Sequence, residues 1–336
     1  MPVKQRIAII GAGSWGTALA IVSARAGHDV VLWSRTPEVA ASINETRVND
    51  RYLTSATIPA EVTAITNIQD AVCDASIVII AAPSHAVREL LVTASSSLNP
   101  DSIVVSAAKG IEIDRGKRVS EIVTEVIGAD VLRRFVCLSG PSFAEEVVAN
   151  HPTAVVASSI DEQAAEAVQV ALSFETLRVY TNADVVGTEL GGAVKNVMAI
   201  AAGMVSGLGF GSNTLAALIT RGLAEISRLA LFHGGQIETL MGLAGLGDLV
   251  LTCTGKLSRN RSVGEQLGKG KSLDEIIAGM TEVAEGIKTT LAVKQLANRT
   301  GLEMPITNEV NAVLYDGKSV QAAVSDLLSR PLKHEK

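Results

Sequence analysis

The chain has 336 residues, 47% of them hydrophobic and only 3% aromatic, and a formal net charge of −6. That length accommodates two domains with a core each, and the composition is globular rather than disordered. The acidic balance and scarce aromatics exclude general attraction to nucleic acid or anionic membrane and a base-stacking platform.

The first half alternates strand and helix signals. Residues 6–10, RIAII, form a short apolar run that ends in glycine. Residues 15–26 follow with helical spacing, and Gly27 is placed to end that helix. Residues 30–33, 77–81 and 103–106 are further apolar, β-rich runs, each followed by a turn, and 135–138, 153–157 and 177–180 complete the set. Strands separated by helices predict a doubly wound, Rossmann-like parallel sheet with helices on both faces. After Asp184 the β signals nearly vanish, and Ala/Leu/Ile/Gly helical patterns run to about Leu328, with Gly-rich joints at 207–212 and 242–248. The expected organisation is a dinucleotide-binding Rossmann domain over 1–184 and an all-α substrate-binding domain over 185–336.

The most apolar stretch, 197–219, is interrupted by glycine, serine and asparagine, so no integral membrane segment is expected. Cys73, Cys137 and Cys253 form no C-x-x-C pair and read as reduced thiols of a cytoplasmic protein. The N-terminus shows no signal-peptide core, and no His/Cys/Asp/Glu spacing suggests a metal site.

Gly11, Gly13 and Gly16 form G-x-G-x-x-G between the first strand and the first helix. One glycine permits the turn, one lets a pyrophosphate approach the backbone, and one lets the helix pack on the strand. The phosphates then meet free N–H groups at the helix N-terminus. The second strand ends Ser34-Arg35-Thr36 with no acid to bind a ribose hydroxyl. Arg35 facing a 2′-phosphate favours NADPH; Arg35 as a solvated residue stacking on adenine leaves NADH equally acceptable.

Ligands of such sheets bind beyond the carboxyl ends of the strands. Ser84 there reads as an N-cap, and Ser142 with Glu145 as a capping box. Lys109, a cation at a strand end, has no such structural explanation. In the helical half, GLAGLGD delivers Asp248, and Ser258-Arg259-Asn260 stands before a helix. A serine cap, a guanidinium and an amide at a helix start suit a phosphate. Alternatively, Arg259 and Arg261 are surface charges and Asp248 is a cap. Lys195 lies on an apolar helix among Gly191, Gly192, Ala193 and Ala199, whose small side chains leave a hollow beside an ammonium. Helical lysines ordinarily snorkel to water, but a lysine held in such a hollow trades protons near neutral pH.

GAGSWGTALA, KGIE at 109–112, LSGPSFAEEV at 138–147, the Lys195-Asn196 run, AGLGDLVLTCTGKLSRNR at 244–261 and EGIKT at 285–289 stand in one order. Through these blocks the chain closely resembles bacterial-type NAD(P)-dependent glycerol-3-phosphate dehydrogenases, from Ile7 to about Leu328. It departs at Tyr52-Leu53-Thr54-Ser55, where the family often continues with Pro-Gly. The resemblance implies a cytoplasmic enzyme, a homodimer, that interconverts dihydroxyacetone phosphate and sn-glycerol 3-phosphate, the phospholipid backbone. It implies Lys195 as proton donor and acceptor, with Lys109, Gly140, Ser142, Asp248, Ser258, Arg259 and Asn260 around the substrate. It implies Ser14, Trp15, Arg35, Lys109, Ala144, Arg259, Val283 and Glu285 around NADPH or NADH, beside the glycines. Two rival readings are a β-hydroxyacid dehydrogenase acting on a small carboxylate and an NADPH sensor without turnover; the lysine and the phosphate seat speak against the sensor.

Overall fold

The computed structural model describes residues 3–280, 284–332 and 334. Its eight strands are β1 (Arg6–Ile10), β2 (Asp29–Trp33), β3 (Val62–Ile65), β4 (Ile77–Ile80), β5 (Ile103–Ser106), β6 (Phe135–Ser139), β7 (Thr153–Ser158) and β8 (Leu177–Asn182). They form one sheet in the order β3-β2-β1-β4-β5-β6-β7-β8. The helices of this half are α1 (Ser14–Arg25), α2 (Pro37–Thr46), α3 (Ile68–Val72), α4 (Val87–Ala94), α5 (Val119–Ile127), α6 (Ala144–Val148) and α7 (Glu162–Leu172).

Alternation along β1 shows why the sheet is covered twice. Ile7 and Ile9 pack with α1 and α7 on one face, and Ala8 and Ile10 pack with α3, α4 and α5 on the other. Both faces being dry, strands such as β4 (IVII) are apolar at every position. Gly27, with φ +96°, follows the end of α1 as expected.

Two features depart from the sequence reading. β3 was not expected: VTAI is short and alternates buried with exposed residues at the sheet edge, so it lacks a continuous apolar run. The sheet is also not wholly parallel, because β7 runs antiparallel to β6 while β7 and β8 are parallel. The link from β6 to β7 holds only the five-residue α6, and the chain turns straight back alongside β6. Gly140 makes this reversal, at φ +130°; a Cβ there would lie 2.9 Å from Val155 Cα.

The second half is helical: α8 (Val185–Gly207), α9 (Ser212–Phe232), α10 (Ile237–Met241), α11 (Asp248–Thr254), α12 (Arg259–Gly268), α13 (Leu273–Ala278), α14 (Glu285–Thr300), α15 (Pro305–Tyr315) and α16 (Val320–Leu328). α8 is its axis, with α9, α11, α12 and α14 packed around it. By length and composition α8 is apolar enough to cross a membrane, but 89% of its most apolar window is buried inside the protein. The joint expected at 242–248 is a single π-helical turn, Leu243–Gly247, running into α11.

Candidate active site

β1 and β4 are the neighbours at which strand order reverses, and the glycine loop lies at their carboxyl ends. Gly11 has φ +120°, and a Cβ on it would stand 3.0 Å from the Ala81 carbonyl. A Cβ on Gly16 would lie 1.8 Å from Gly11 O, so only glycine lets α1 start so close to β1. At Gly13 a Cβ would meet nothing within 4 Å, and α1 begins there without a side-chain cap. Its first N–H groups thus open onto space that phosphate oxygens can approach. The indole Nε1 of Trp15, on the same turn, is buried without a protein partner. These residues fit a dinucleotide pyrophosphate.

The rest of the expected cofactor set surrounds this loop unevenly. Ser14 Oγ donates to Tyr52 O at 2.7 Å, which ties the loop to the segment where the chain departs from the family pattern. Ala144 opens α6 and packs, like Trp15, against the core beneath α1. Arg35 is exposed beyond β2. Burial, then the charges of Lys288 and Arg35, hold the His85 imidazole below its ordinary value. Beside Arg35, Ser34 Oγ donates to Thr36 O at 3.0 Å and accepts from Thr36 N. Glu285 opens α14 and accepts from Ser84 N at 3.4 Å. Burial pushes its carboxyl up, against the pull of Arg259, Ser84, Lys109 and Lys195. Val283 lies outside the described residues.

Across the crevice, Lys109, Gly140, Lys195 and Asp248 converge. Lys109 Nζ donates to Gly140 O and to Asp248 Oδ2, both at 2.9 Å. Lys195 Nζ donates to Asp248 Oδ1 and, at 2.9 Å, to Thr252 Oγ1. Asp248, 1% exposed, therefore bridges two ammonium groups, and Lys195 is itself only 5% exposed. Burial lowers the Lys195 ammonium to about 8 although Asp248 pulls the other way. Burial pushes the Asp248 carboxyl up, but Lys109 and Lys195 outweigh it and hold it below the usual range. The same surroundings thus favour the ionised carboxylate of Asp248 and bring Lys195 closer to its neutral form.

The glycines beside Lys195 serve this geometry differently from the expected hollow. A Cβ on Gly191 would lie 2.8 Å from Ala244 O, and one on Gly192 would lie 2.8 Å from Ser139 Oγ. They let α8 touch the π-helical turn and the end of β6, which brings Asp248 and Lys109 onto Lys195. A chain of amides continues the contact. Asn196 Nδ2 donates to Lys109 O at 3.2 Å, Asn260 Nδ2 to Asn196 Oδ1 at 3.0 Å, and Gly286 N to Asn260 Oδ1 at 2.9 Å. Asn260 thus joins α8, α12 and α14. Ser258 caps α12 as expected, accepting from Arg261 N at 3.2 Å, and Arg259 is the first residue of that helix.

Three cap assignments are corrected. Ser142 and Glu145 form no capping box: Phe143 holds the cap position of α6, and Ser142 Oγ turns back to Gly140 O at 3.0 Å. Ser84 begins a short 3-10 turn after Pro83 rather than capping it. Asp248 is the first residue of α11, committed to the two lysines rather than to its helix end. Sequence reasoning missed Thr252. It stands four residues after Asp248 on the same helical face, a spacing that carries the signal.

Family models described as the N-terminus and C-terminus of NAD-dependent glycerol-3-phosphate dehydrogenase match residues 6–165 and 184–325. The chain belongs to the NAD-dependent glycerol-3-phosphate dehydrogenase family. A glycerol-3-phosphate dehydrogenase [NAD(P)+] of Koribacter versatilis is 55% identical over 97% of this chain and 98% of its own length. One of Citrifermentans bemidjiense is 49% identical over 99% of each. A crystal structure of glycerol-3-phosphate dehydrogenase from Coxiella burnetii superposes with a TM-score of 0.94 at 40% identity, covering 98% of this chain and 100% of that one. A D-mandelate dehydrogenase, at 13% identity and a TM-score of 0.61 over 93% of this chain and 98% of its own, shares the fold alone. The glycerol-3-phosphate dehydrogenase family thus accounts for both halves of the chain and for the glycine loop between β1 and α1.

Proposed function

We infer that the Lys109–Asp248–Lys195 network is the proton-handling centre of an NAD(P)-dependent glycerol-3-phosphate dehydrogenase, with Lys195 as the group that gives and takes the proton. The reaction is the reversible reduction of dihydroxyacetone phosphate to sn-glycerol 3-phosphate. The observation that carries the assignment is a lysine lowered to about 8 and tied to a carboxylate at the crevice beyond the strand ends. The fit of the glycine loop and family membership support the cofactor class.

The dinucleotide, when bound, supplies or accepts the hydride at C2 of the substrate. The protein's own residues do the rest. Arg259 and the N-terminus of α12 hold the substrate phosphate; the Asn260 amide bonds to Asn196 and Gly286 and chiefly fixes the angle of that helix. Binding the phosphate away from the reacting carbon orients the ketone. Lys195, as ammonium, stabilises negative charge growing on the C2 oxygen and then protonates it. In the reverse direction, neutral Lys195 removes the hydroxyl proton. Asp248 and Thr252 aim Lys195, while Lys109 adds positive charge and is held by Gly140. Ser142 and Gly140 border the substrate, and Gly11, Gly13, Ser14, Trp15, Gly16, Ala144, Val283 and Glu285 border the cofactor.

Arg35, with no carboxylate at the end of β2, favours NADPH over NADH on this reading. We also assign the protein to the cytoplasm as a homodimer, divided into domains at 184/185. The division is supported by the sheet ending at Asn182 and α8 beginning at Val185. Leu231 and Phe232, exposed at the end of α9, and Met241, exposed at the end of α10, support a second copy as the partner.

The deciding experiment follows oxidation of NADPH and NADH with dihydroxyacetone phosphate, in parallel with succinate semialdehyde and tartronate semialdehyde. Rapid turnover of the phosphate alone establishes the substrate. Turnover of a semialdehyde instead would move the assignment to the hydroxyacid dehydrogenases.

A further inference from the structure

The loop after β5 carries Lys109 at one end and a cluster of cations at the other. Between them Ile111 is buried in the core of the helical domain. At the far end a cavity of about 190 Å³ opens where this loop meets α8 and α14. Arg115, Lys117, Arg118, Arg299 and His233 line it, over an apolar floor of Leu190 and Leu296. Four formal positive charges thus face one lining carboxylate, Glu121, in a chain whose net charge is −6.

Glu121 pairs with Lys117 at 3.4 Å and with Arg118 at 3.3 Å, and the neighbouring acids leave the rest of the charge incompletely balanced. Glu125 is shared among Arg88 at 2.7 Å, Lys117 at 3.4 Å and Arg115 at 3.8 Å. Glu189 is taken by Arg118 at 2.8 Å and by the N–H and hydroxyl of Ser120. Arg299 has no carboxylate partner among the described residues; its Nη1 donates to Arg115 O at 3.2 Å. Gly116, at φ +66°, allows that approach, since a Cβ there would lie 3.2 Å from the same Nη1. His233 Nε2 is buried without a protein partner. Burial and the Arg118 charge hold this imidazole below its ordinary value. It therefore presents a neutral ring beside the guanidinium groups.

We propose that this cavity is a second anion site, distinct from the substrate's phosphate seat, for a small dianion of the phosphate type. Guanidinium forks suit tetrahedral oxyanions, and Arg115 and Arg299 bring two of them to one space beside Arg118, whose Nη1 and Nε already serve Glu189, Ser120 and Glu121. The volume is below the roughly 300–1,000 Å³ usual for drug-sized ligands, which excludes a dinucleotide and suits phosphate or a small phosphate ester. An occupant acts on the active site by two routes. The loop leads back to Lys109, and Arg118 holds Glu189 on α8, the helix that carries Lys195.

The test is calorimetric titration of the full chain with inorganic phosphate, and separately with methyl phosphate as a small ester, using wild type, Arg259→Ala and Arg299→Ala. Arg259→Ala removes the seat inferred for the substrate. The expected result is binding that persists in Arg259→Ala and weakens about tenfold or more in Arg299→Ala, the scale of one lost charged hydrogen bond. Lys117→Ala, which removes another lining cation, should weaken it as well. A tighter ester assigns the site to phosphate monoesters, and tighter phosphate assigns it to the free ion. Binding lost in Arg259→Ala but kept in Arg299→Ala overturns the proposal and leaves the substrate seat standing. Binding unchanged in both variants overturns the second site, and so does no binding by wild type at millimolar phosphate.

Discussion

Lys195 and Asp248 pair in a place where neither charge is solvated; removing Asp248 strands Lys195, whereas Asp248 without Lys195 keeps its bond to Lys109. Lys195→Ala should lower turnover at least about a hundredfold, the usual scale for loss of a general acid or base, with little change in the KM for the dinucleotide. Near-normal turnover would remove Lys195 from the chemistry. Because its ammonium is lowered to about 8, kcat/KM for glycerol 3-phosphate oxidation should rise with pH and level above that value. Reduction needs the ammonium, so its kcat/KM should fall over the same interval. Profiles flat across it in both directions would sink the assignment. Thr252→Val removes an acceptor that favours the charged form, so the inflection should move to lower pH while cofactor binding stays unchanged. Arg35→Ala should erode any preference for NADPH, read as the ratio of kcat/KM for the two cofactors. At this scale the identity of the lysine was legible, because an ammonium in an apolar helix is chemically conspicuous. Its surroundings were not: Gly191 and Gly192 read as space beside the ammonium, and prove to be contact points for Ala244 and Ser139.

The contact between α8 and α12 decides how Lys195 and the α12 N-terminus face each other. A Cβ on Gly203 would lie 2.0 Å from Arg261 O, and one on Gly264 would lie 1.9 Å from Ile200 O. The two helices therefore approach backbone to backbone, which only glycine permits. Gly264→Ala should destabilise the fold by about 1–3 kcal/mol, the usual cost of overpacking, as measured by urea unfolding. It should also raise the KM for dihydroxyacetone phosphate by displacing Arg259. A variant of wild-type stability would refute the close contact. Another joint ties α9 to the start of α15: Glu225 accepts from Ile306 N and Thr307 N. Burial raises its carboxyl to about 7 despite those N–H groups. The folded state thus binds its proton more tightly than the unfolded chain does. This contribution is complete below the ordinary glutamate range and fades as pH rises through about 7. Glu225→Gln should flatten that part of the Tm-against-pH curve. In the sequence Gly203 and Gly207 looked like interruptions of an apolar run, since spacing along one helix does not show which helix lies against it.

The two halves of the molecule are fastened across the junction by Glu189 on α8, which bonds to Arg118, Ser120 N and Ser120 Oγ at the start of α5. Breaking a buried ion pair from one side costs about 3–5 kcal/mol. Glu189→Ala should therefore lower global stability on that scale and reduce cooperativity between sheet and helical unfolding, visible as a broadened calorimetric transition. A sharp, unshifted transition would mean that the junction rests on its other contacts, Lys109–Asp248 and Asn196–Lys109 among them. The sequence by itself determined most of the order of strands and helices, the change from an alternating half to a helical half, the glycine turn between β1 and α1, and a lysine set in an apolar helix. These follow from local periodicity, glycine spacing and charge in apolar surroundings, all carried within a few residues. Only the tertiary structure decided that β7 runs antiparallel to β6, that VTAI forms an edge strand, and that Ser142 and Ser84 cap nothing. It also decided that Asp248 bridges Lys109 and Lys195, which lie 139 and 53 residues away along the chain. Strand direction, the fate of a capping side chain and a charge bridge each depend on partners distant in sequence, and packing alone chooses among them.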